Sequence, residues 1–525
     1  MQFDYIVVGA GSAGSIVAAK LAETRRFKVL LLEAGPSDRS FFIQMPLGYG
    51  MSFFNPKLNW MYWSAPVPAL DGRSVYVPRG KVVGGSSSIN AMVYVRGQAA
   101  DYDDWEAAGA TGWGWRAVGP AYAAMEAAGL PFSSMRDGAH PLCERYFEAS
   151  AALGIRRNDE FEPQSQEGVG FYPVTISQGR RLSASRAFLW QAMKASDRLQ
   201  VFTGALATKI LFDGRRATGV EYTRFGAPQK AYAAKEVILA GGAINTPQLL
   251  QLSGLGPAEL LRRHGIDVVQ DMPAVGRHLQ DHASVDYYYR ATVPTQNQQL
   301  RPFFGKAWAG LRYALTRSGP LAWSLNQSGG FIRSNPSRAR PNIQVYFCPS
   351  SYEKSPPRTR KMTQPDPFPG ICISACSCRP TSRGFVEIVS ANPGDAPSIQ
   401  PNLLATPEDM QEMVEGVRHL RALVRAKPLA SVIAEEFKPG PSVETDAQIE
   451  ADIRARAYSI FHPCGSARIG SDPASSVVDP NLKVHGIGGL RVIDASVFPT
   501  VIAGNTNAPS MLVGWCGAQR ILAGS

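Results

Sequence analysis

The chain has 525 residues with 45% apolar and 18% charged side chains, enough for a large core and more than one domain. Its net charge of +11 comes from dispersed Lys and Arg, densest at Arg358-Thr359-Arg360-Lys361, read as a solvated loop; this argues against nucleic acid as a partner, and the lack of long polar tracts argues against disorder. Seven cysteines without framework spacing point to a reducing compartment, and no apolar run reaches the length of a membrane span. The first strand begins almost at Met1, so no signal peptide is expected. A cytoplasmic protein is expected, at most peripheral to the inner face of a membrane.

The run Tyr5-Ile6-Val7-Val8 reads as a central strand buried on both faces. It meets Gly9-Ala10-Gly11-Ser12-Ala13-Gly14, whose first glycine permits a tight turn, whose second admits a phosphate to the backbone, and whose third lets the next helix approach the sheet. A helix is expected from Ala13 to Thr24, then the strand Lys28 to Leu32, closed by Glu33 and Ala34. Glu33 stands where an acidic side chain accepts hydrogen bonds from a ribose diol. Together these elements form a pocket for the pyrophosphate of a dinucleotide.

An irregular stretch with Trp60 and Trp63 leads to Arg79 through Asn90. There Gly84-Gly85-Ser86-Ser87-Ser88-Ile89-Asn90 suits a loop whose N–H groups and hydroxyls line a polar ligand. A helix is expected to follow, and another to begin at Asp101. Leu199–Phe202, Thr208–Phe212 and Ala217–Arg224 read as an antiparallel meander, and Lys235 to Ala240 as a return to the buried sheet. Gly241 to Pro247 opens a helix that stops at Ser253-Gly254-Leu255-Gly256-Pro257.

From about 290 to 445 the chain alternates like antiparallel strands, with a proline-rich loop from Ser355 to Pro369. Cys372, Ser374, Cys376 and Cys378 fall on one strand face and lack the CxxC spacing of a metal site, so no metal is expected. Phe303 to Leu315 reads as a core or inter-domain helix rather than a membrane-surface one. Leu490 to Ser496 returns to the first sheet, and Gly504-Asn505-Thr506-Asn507 opens the last helix. The fold class is α/β: a dinucleotide-binding domain from 1–150, 198–290 and 446–525, and an antiparallel-sheet substrate domain from 151–197 and 291–445.

His462 lies in the turn-rich Ile460-Phe461-His462-Pro463-Cys464-Gly465-Ser466, which suits an imidazole held at a loop mouth, where it serves as a base near neutral pH. The other six histidines, His282 among them, stand in ordinary polar or capping contexts. No Gly-x-Ser-x-Gly elbow or HExxH competes with it.

These residues carry a resemblance over essentially the full length. The stretch Gly80 to Gly97 and on to Asp103, the run Gly242 to Gly256, and Met45-Pro46-Leu47-Gly48 with Gly504 to Pro509 resemble the signatures of the glucose-methanol-choline oxidoreductases, nearest the bacterial choline-dehydrogenase-like branch. The resemblance implies that the dinucleotide is FAD. It implies oxidation of a primary alcohol to an aldehyde by hydride transfer to flavin N5, with His462 as base, Asn505 as second polar contact, and oxygen or a quinone as electron acceptor. A flavin-containing lyase or a photodecarboxylase on the same fold are the alternatives. It further implies cofactor contacts at Gly9, Gly11, Ser12, Ala13, Gly14, Glu33, Ala34, Gly84, Gly85, Ser86, Ser88, Asn90, Ala91, Met92, Val93, Asp494, Ala495, Asn505 and Thr506. Ile89 stands where some members carry a flavin-linking histidine, so non-covalent FAD is expected. Cys464, Ser466 and Ile469 depart from the usual residues beside the histidine.

Overall fold

Two strands that are apolar on every residue, β1 (Gln2–Val8, from Tyr5 onward) and β2 (Val29–Leu32 within Val29–Glu33), can be satisfied only in the middle of a covered sheet. The structure, a computed structural model, describes residues 1–352 and 364–524. In it, β1 and β2 run parallel, joined by helix α1 (Ser12–Glu23), with Leu199–Thr203 parallel beyond β2. On the other side of β1 lies β3 (Ala227–Leu239), 13 residues long, whose second half runs parallel to β1 and to Leu490–Val492.

The expected meander is displaced by one strand. Leu199–Thr203 is parallel to β2, and the meander consists of Ala205–Asp213, Arg216–Arg224 and the first half of β3. The register Leu199↔Val29 to Thr203↔Glu33 uses the edge of β2 that the meander leaves open. A single long strand therefore serves both the polar meander and the buried sheet. Nor does a helix follow Asn90: residues 91–98 are extended up to the helix Ala99–Ala107. Asn90 Oδ1 accepts from Met92 N (3.0 Å), and Met92 and Gly97 both have positive φ, so the backbone turns instead of coiling.

After β3, helix α2 (Gly242–Leu252) packs beneath the sheet. The second sheet is antiparallel throughout, in the order Ile433–Lys438, β4 (Ala283–Ala291), β5 (Gly370–Ser377), Ile343–Cys348, Ser328–Ile332 and Gly168–Phe171. Because β4 pairs here, this sheet begins before the boundary expected at 290. Its residues alternate with period two: Val285, Tyr287, Val345, Phe347, Ile371 and Ile373 meet the helix Pro407–Arg425, while Ser284, Asp286, Tyr346, Cys348, Cys372 and Ser374 face a cavity. Small side chains on that face leave the cavity its room.

Helix α3 (Phe303–Thr316) is not a core helix. Among its residues only Ala309 and Tyr313 are buried, and Phe303, Phe304, Trp308, Leu311 and Leu315 are exposed. The basic run Arg358-Thr359-Arg360-Lys361 and most of the proline-rich loop lie outside the described residues.

Candidate active site

A cavity of about 920 Å³, within the range of cofactor sites, joins the two sheets. At one end stands the N-terminus of α1. Gly11 caps it without a side-chain hydrogen bond, and the first turn carries no acidic residue, so its N–H groups stay free to bind an anion. The glycines divide the work. A Cβ on Gly9, which has φ +102°, would lie 2.4 Å from Ala240 O, and one on Gly14 would lie 2.0 Å from Gly9 O. Those two close the turn against the sheet. A Cβ on Gly11 meets only Ala240 O, at 3.9 Å, and would stand in the cavity instead.

Glu33 ends β2 on the same side. Its Oε2 accepts from Ala10 N (3.0 Å) and its Oε1 from Gly35 N (2.8 Å), which ties the first turn to the second strand. Burial pushes this carboxyl up to about 7, against the opposing pull of the two backbone donors. Each oxygen keeps a lone pair for a further donor.

The loop expected to line a polar ligand crosses this end. Gly84 N donates to Ala10 O (2.7 Å), and Gly85 sits so near that a Cβ there would come within 2.6 Å of Gly11 Cα. Gly85, Ser86, Asn90, Ala91, Met92 and Val93 line the cavity, as do Gly9, Gly11, Ser12, Ala13, Glu33, Ala34, Asp494, Ala495, Asn505 and Thr506. Gly14, Gly84 and Ser88 stand behind the wall. Ser88 Oγ donates to Val83 O (2.7 Å), and a Cβ on Gly84 would strike that hydroxyl at 2.2 Å. Asp494 is engaged as well: it accepts from Gly242 N (2.8 Å), Thr246 Oγ1 (2.6 Å) and Ser496 N (2.7 Å), fixing the start of α2.

At the other end, side chains from four separate segments converge. His282 Nε2 lies 2.9 Å from Cys378 O, and a carbonyl can only accept, so this nitrogen carries the proton. Neutral His282 then presents a bare Nδ1, 2.9 Å from His462 Nδ1, which must donate. The hydrogen-bond chain thereby leaves His462 Nε2 with its lone pair exposed to the cavity. Asn505 Nδ2 points at that lone pair from 3.1 Å and also donates to Tyr346 Oη at 3.1 Å. Gln344 Nε2 donates to Asn505 Oδ1 (3.2 Å) and so fixes which way the amide faces.

Both imidazoles are held neutral. Burial pushes His282 down to about 4, and burial, then His282 and Arg79, hold His462 well below the usual histidine value. One carboxylate places both rings: Asp281 Oδ1 accepts from His282 N (2.9 Å) and His462 N (2.8 Å), while Oδ2 accepts from Ser459 Oγ (2.5 Å). Burial raises Asp281 to about 6. An acceptor nitrogen beside an amide N–H can hold a hydroxyl from both sides, taking its proton while donating to its oxygen.

The structure brings His462 and Asn505, the two expected catalytic residues, together with Asp281, His282, Gln344 and Tyr346, which the sequence did not single out. His282 reads as ordinary because its partner is 180 positions away. Arg181 also went unnoticed: fully buried, it donates to Ile43 O (3.0 Å), Ser87 O (3.1 Å) and Asn90 Oδ1 (2.7 Å), bracing the cofactor-side loop. Nothing local to either residue signals the role. The adjacent acid-histidine pair Asp281-His282 is the nearest thing to a signal.

Models of the GMC oxidoreductase N- and C-terminal regions match residues 3–284 and 380–514. The chain is 42% identical to an alcohol dehydrogenase (acceptor) of Pseudomonas putida, over 99% of this chain and 96% of that one. It is 38% identical to a mitochondrial choline dehydrogenase of Mus musculus, over 98% and 88%. Among solved structures, a pyridoxine 4-oxidase from Mesorbium loti superposes with a TM-score of 0.88 at 27% identity, over 99% of each chain. A formate oxidase variant of Aspergillus oryzae RIB40 does so at 0.90 and 26%, over 100% of this chain and 98% of that one.

Proposed function

The chain belongs to the GMC oxidoreductases, FAD-dependent enzymes that act on alcohols, and on that premise we propose that it oxidises a primary alcohol to the aldehyde with His462 as the base and Asn505 as the second contact to the oxygen. The observation that carries this reading is the lone pair of His462 Nε2 facing Asn505 Nδ2 in the cavity.

The cavity fits the cofactor by its own geometry: the opening a Gly11 side chain would fill, the uncapped start of α1, and a carboxylate with lone pairs to spare. In this reading the N–H groups of Gly11, Ser12 and Ala13 hold the pyrophosphate, Glu33 accepts from the adenosine ribose, and the 85–93 loop and Ala495 stand along the flavin and its chain. FAD is held without a covalent bond, since Ile89 offers no nucleophile at the position where relatives link it.

The substrate O–H displaces the Asn505 Nδ2–H from His462 Nε2, donating to that nitrogen while its oxygen receives the amide N–H. Its proton moves to Nε2 as the carbinol oxygen gains negative charge, and Asn505 stabilises that oxygen through a hydrogen bond already in place. The new imidazolium keeps its Nδ1–H on the His282 lone pair, which disperses the charge. When bound, the flavin supplies the acceptor for the hydride that leaves the carbinol carbon. The protein's remaining task is orientation. Tyr346, Ile460 and Phe461 wall the alcohol end, which favours a substrate with an apolar body.

His462→Ala should slow anaerobic flavin bleaching by a primary alcohol about 10²–10⁴-fold while FAD stays bound. Bleaching at the wild-type rate would overturn the assignment of the base. Re-oxidation of the bleached enzyme by air and by a quinone, compared directly, identifies the acceptor.

A further inference from the structure

Helix α3 is amphipathic the wrong way round for a globular protein. At 100° per residue, Phe303, Ala314, Ala307, Leu311, Phe304, Leu315 and Trp308 occupy one continuous arc. Every one of them is exposed; Phe304 is 84% exposed, Leu315 75% and Trp308 66%. On the docked side, Phe41 is half exposed and 6.0 Å edge-to-face from Tyr313, the residue that anchors the helix. Isolated surface apolar residues need no explanation, but a whole helix face does.

The three segments that build this face carry charge of one sign. Lys306 and Arg312 flank the apolar arc on either side, and at the end of the helix Arg180, Arg186 and Arg317 surround a small second cavity with Thr316. Tyr313 Oη donates to Gly179 O (3.0 Å), which docks the helix end onto that basic hairpin. The segments 39–57, 177–196 and 296–322 that build the face contain no Asp or Glu. Among the described residues, Arg180, Arg186, Lys306, Arg312 and Arg317 form no ion pair.

The active-site cavity opens at the same place. Phe42 and Met51, both partly exposed, line it together with Leu300, Lys306 and Leu321.

We propose that this face docks on an anionic lipid bilayer, with α3 lying in the plane of the interface, its aromatic arc among the acyl chains and the flanking Lys and Arg on the headgroup phosphates, so that the cavity mouth opens at the membrane surface. Apolar side chains with cations along both sides are what an in-plane helix requires. A second copy of this chain is a poorer occupant, because the face offers it aromatic rings and positive charge with no carboxylate to meet its own cations. The docking does not depend on the oxidation chemistry. The mouth's position adds a consequence for it: a lipophilic alcohol dissolved in the bilayer would enter without crossing water.

The test is flotation of the full-length FAD-loaded enzyme with vesicles of phosphatidylcholine alone or mixed with phosphatidylglycerol. The enzyme should float with the mixed vesicles, less so as salt is raised, and hardly at all with phosphatidylcholine. The double substitution Phe304→Glu, Trp308→Glu should lower the bound-to-free ratio about tenfold or more, with melting temperature and turnover of a short water-soluble alcohol unchanged. Leu315→Glu is the independent second variant and should lower binding in the same direction. A wild type that stays in solution with anionic vesicles would overturn the proposal, as would variants that float like it. A wild type that ignores vesicles but sediments as a dimer, dissociated by the same substitutions, would assign the face to self-association instead. Because binding is read without turnover, a failed oxidation assignment and a failed docking assignment give different results.

Discussion

The two ends of the cavity are built by different means. The end at α1 is made of backbone: three glycines, the start of one helix and the end of one strand, all within the first 35 residues, with Glu33 gripping the turn through Ala10 N and Gly35 N. The end at His462 is made of side chains drawn from 281–282, 344–346, 459–462 and 505, each oriented by another side chain or by a distant carbonyl such as that of Cys378. Backbone cradles tolerate almost no change of shape. Side-chain relays keep their shape and fail when a proton sits on the wrong nitrogen.

That difference predicts different modes of failure. On the side-chain end, His282→Ala removes the acceptor that holds His462 in its tautomer, and anaerobic flavin reduction should slow about 10²-fold with the FAD spectrum and content unchanged. His282→Asn, whose amide can accept from His462 Nδ1 and donate to Cys378 O, should recover part of the rate. Equal losses in both variants would mean that the ring serves only as filling.

On the backbone end, Gly11→Val should weaken FAD binding about ten- to a hundredfold without lowering the melting temperature of the FAD-free protein, since its side chain would enter open cavity. Gly14→Ala should do the reverse and destabilise the FAD-free protein by about 1–3 kcal/mol, because its Cβ would press on Gly9 O at 2.0 Å. Fluorescence titration and thermal melts of both variants separate the two roles. Identical behaviour would erase the distinction drawn between the glycines.

The smallest effect concerns pH. Glu33 is raised from 4.5 to about 7 in the FAD-free chain, so its contribution to stability is present below 4.5 and lost as pH rises through about 7. A ribose diol donating to the carboxylate needs the ionised form. FAD affinity should therefore fall about fivefold between pH 7 and 6, and Glu33→Gln should bind more weakly and without that slope. A titration equally steep in the variant would assign the dependence to another group.

How much of this was legible in the sequence follows the same division. At the α1 end the strand, the glycine turn, the helix and the terminal acid were legible as elements, because they are contiguous and local conformation dictates them. Gly14, Gly84 and Ser88, expected as cofactor contacts, stand behind the cavity wall, because pattern does not tell which side of the backbone faces the cavity. At the other end only His462 and Asn505 were singled out in the sequence. Asp281 and His282 escaped because their meaning comes from β4 bringing them against a loop 180 residues later. The displaced meander had the same origin, a strand whose partner is chosen by the open edge of β2. For α3 the periodicity was right and the burial reversed: amphipathicity shows that a helix has an apolar face and leaves open what that face meets.

At neutral pH His462 is an uncharged imidazole protonated on Nδ1, with Nε2 unprotonated. Nitrogen-15 spectra of histidine-labelled enzyme at pH 7, with His462→Gln and His282→Asn samples to assign the two rings, read this directly. His282 should be protonated on Nε2 and His462 on Nδ1; a His462 signal protonated on Nε2, or on both nitrogens, would overturn the relay.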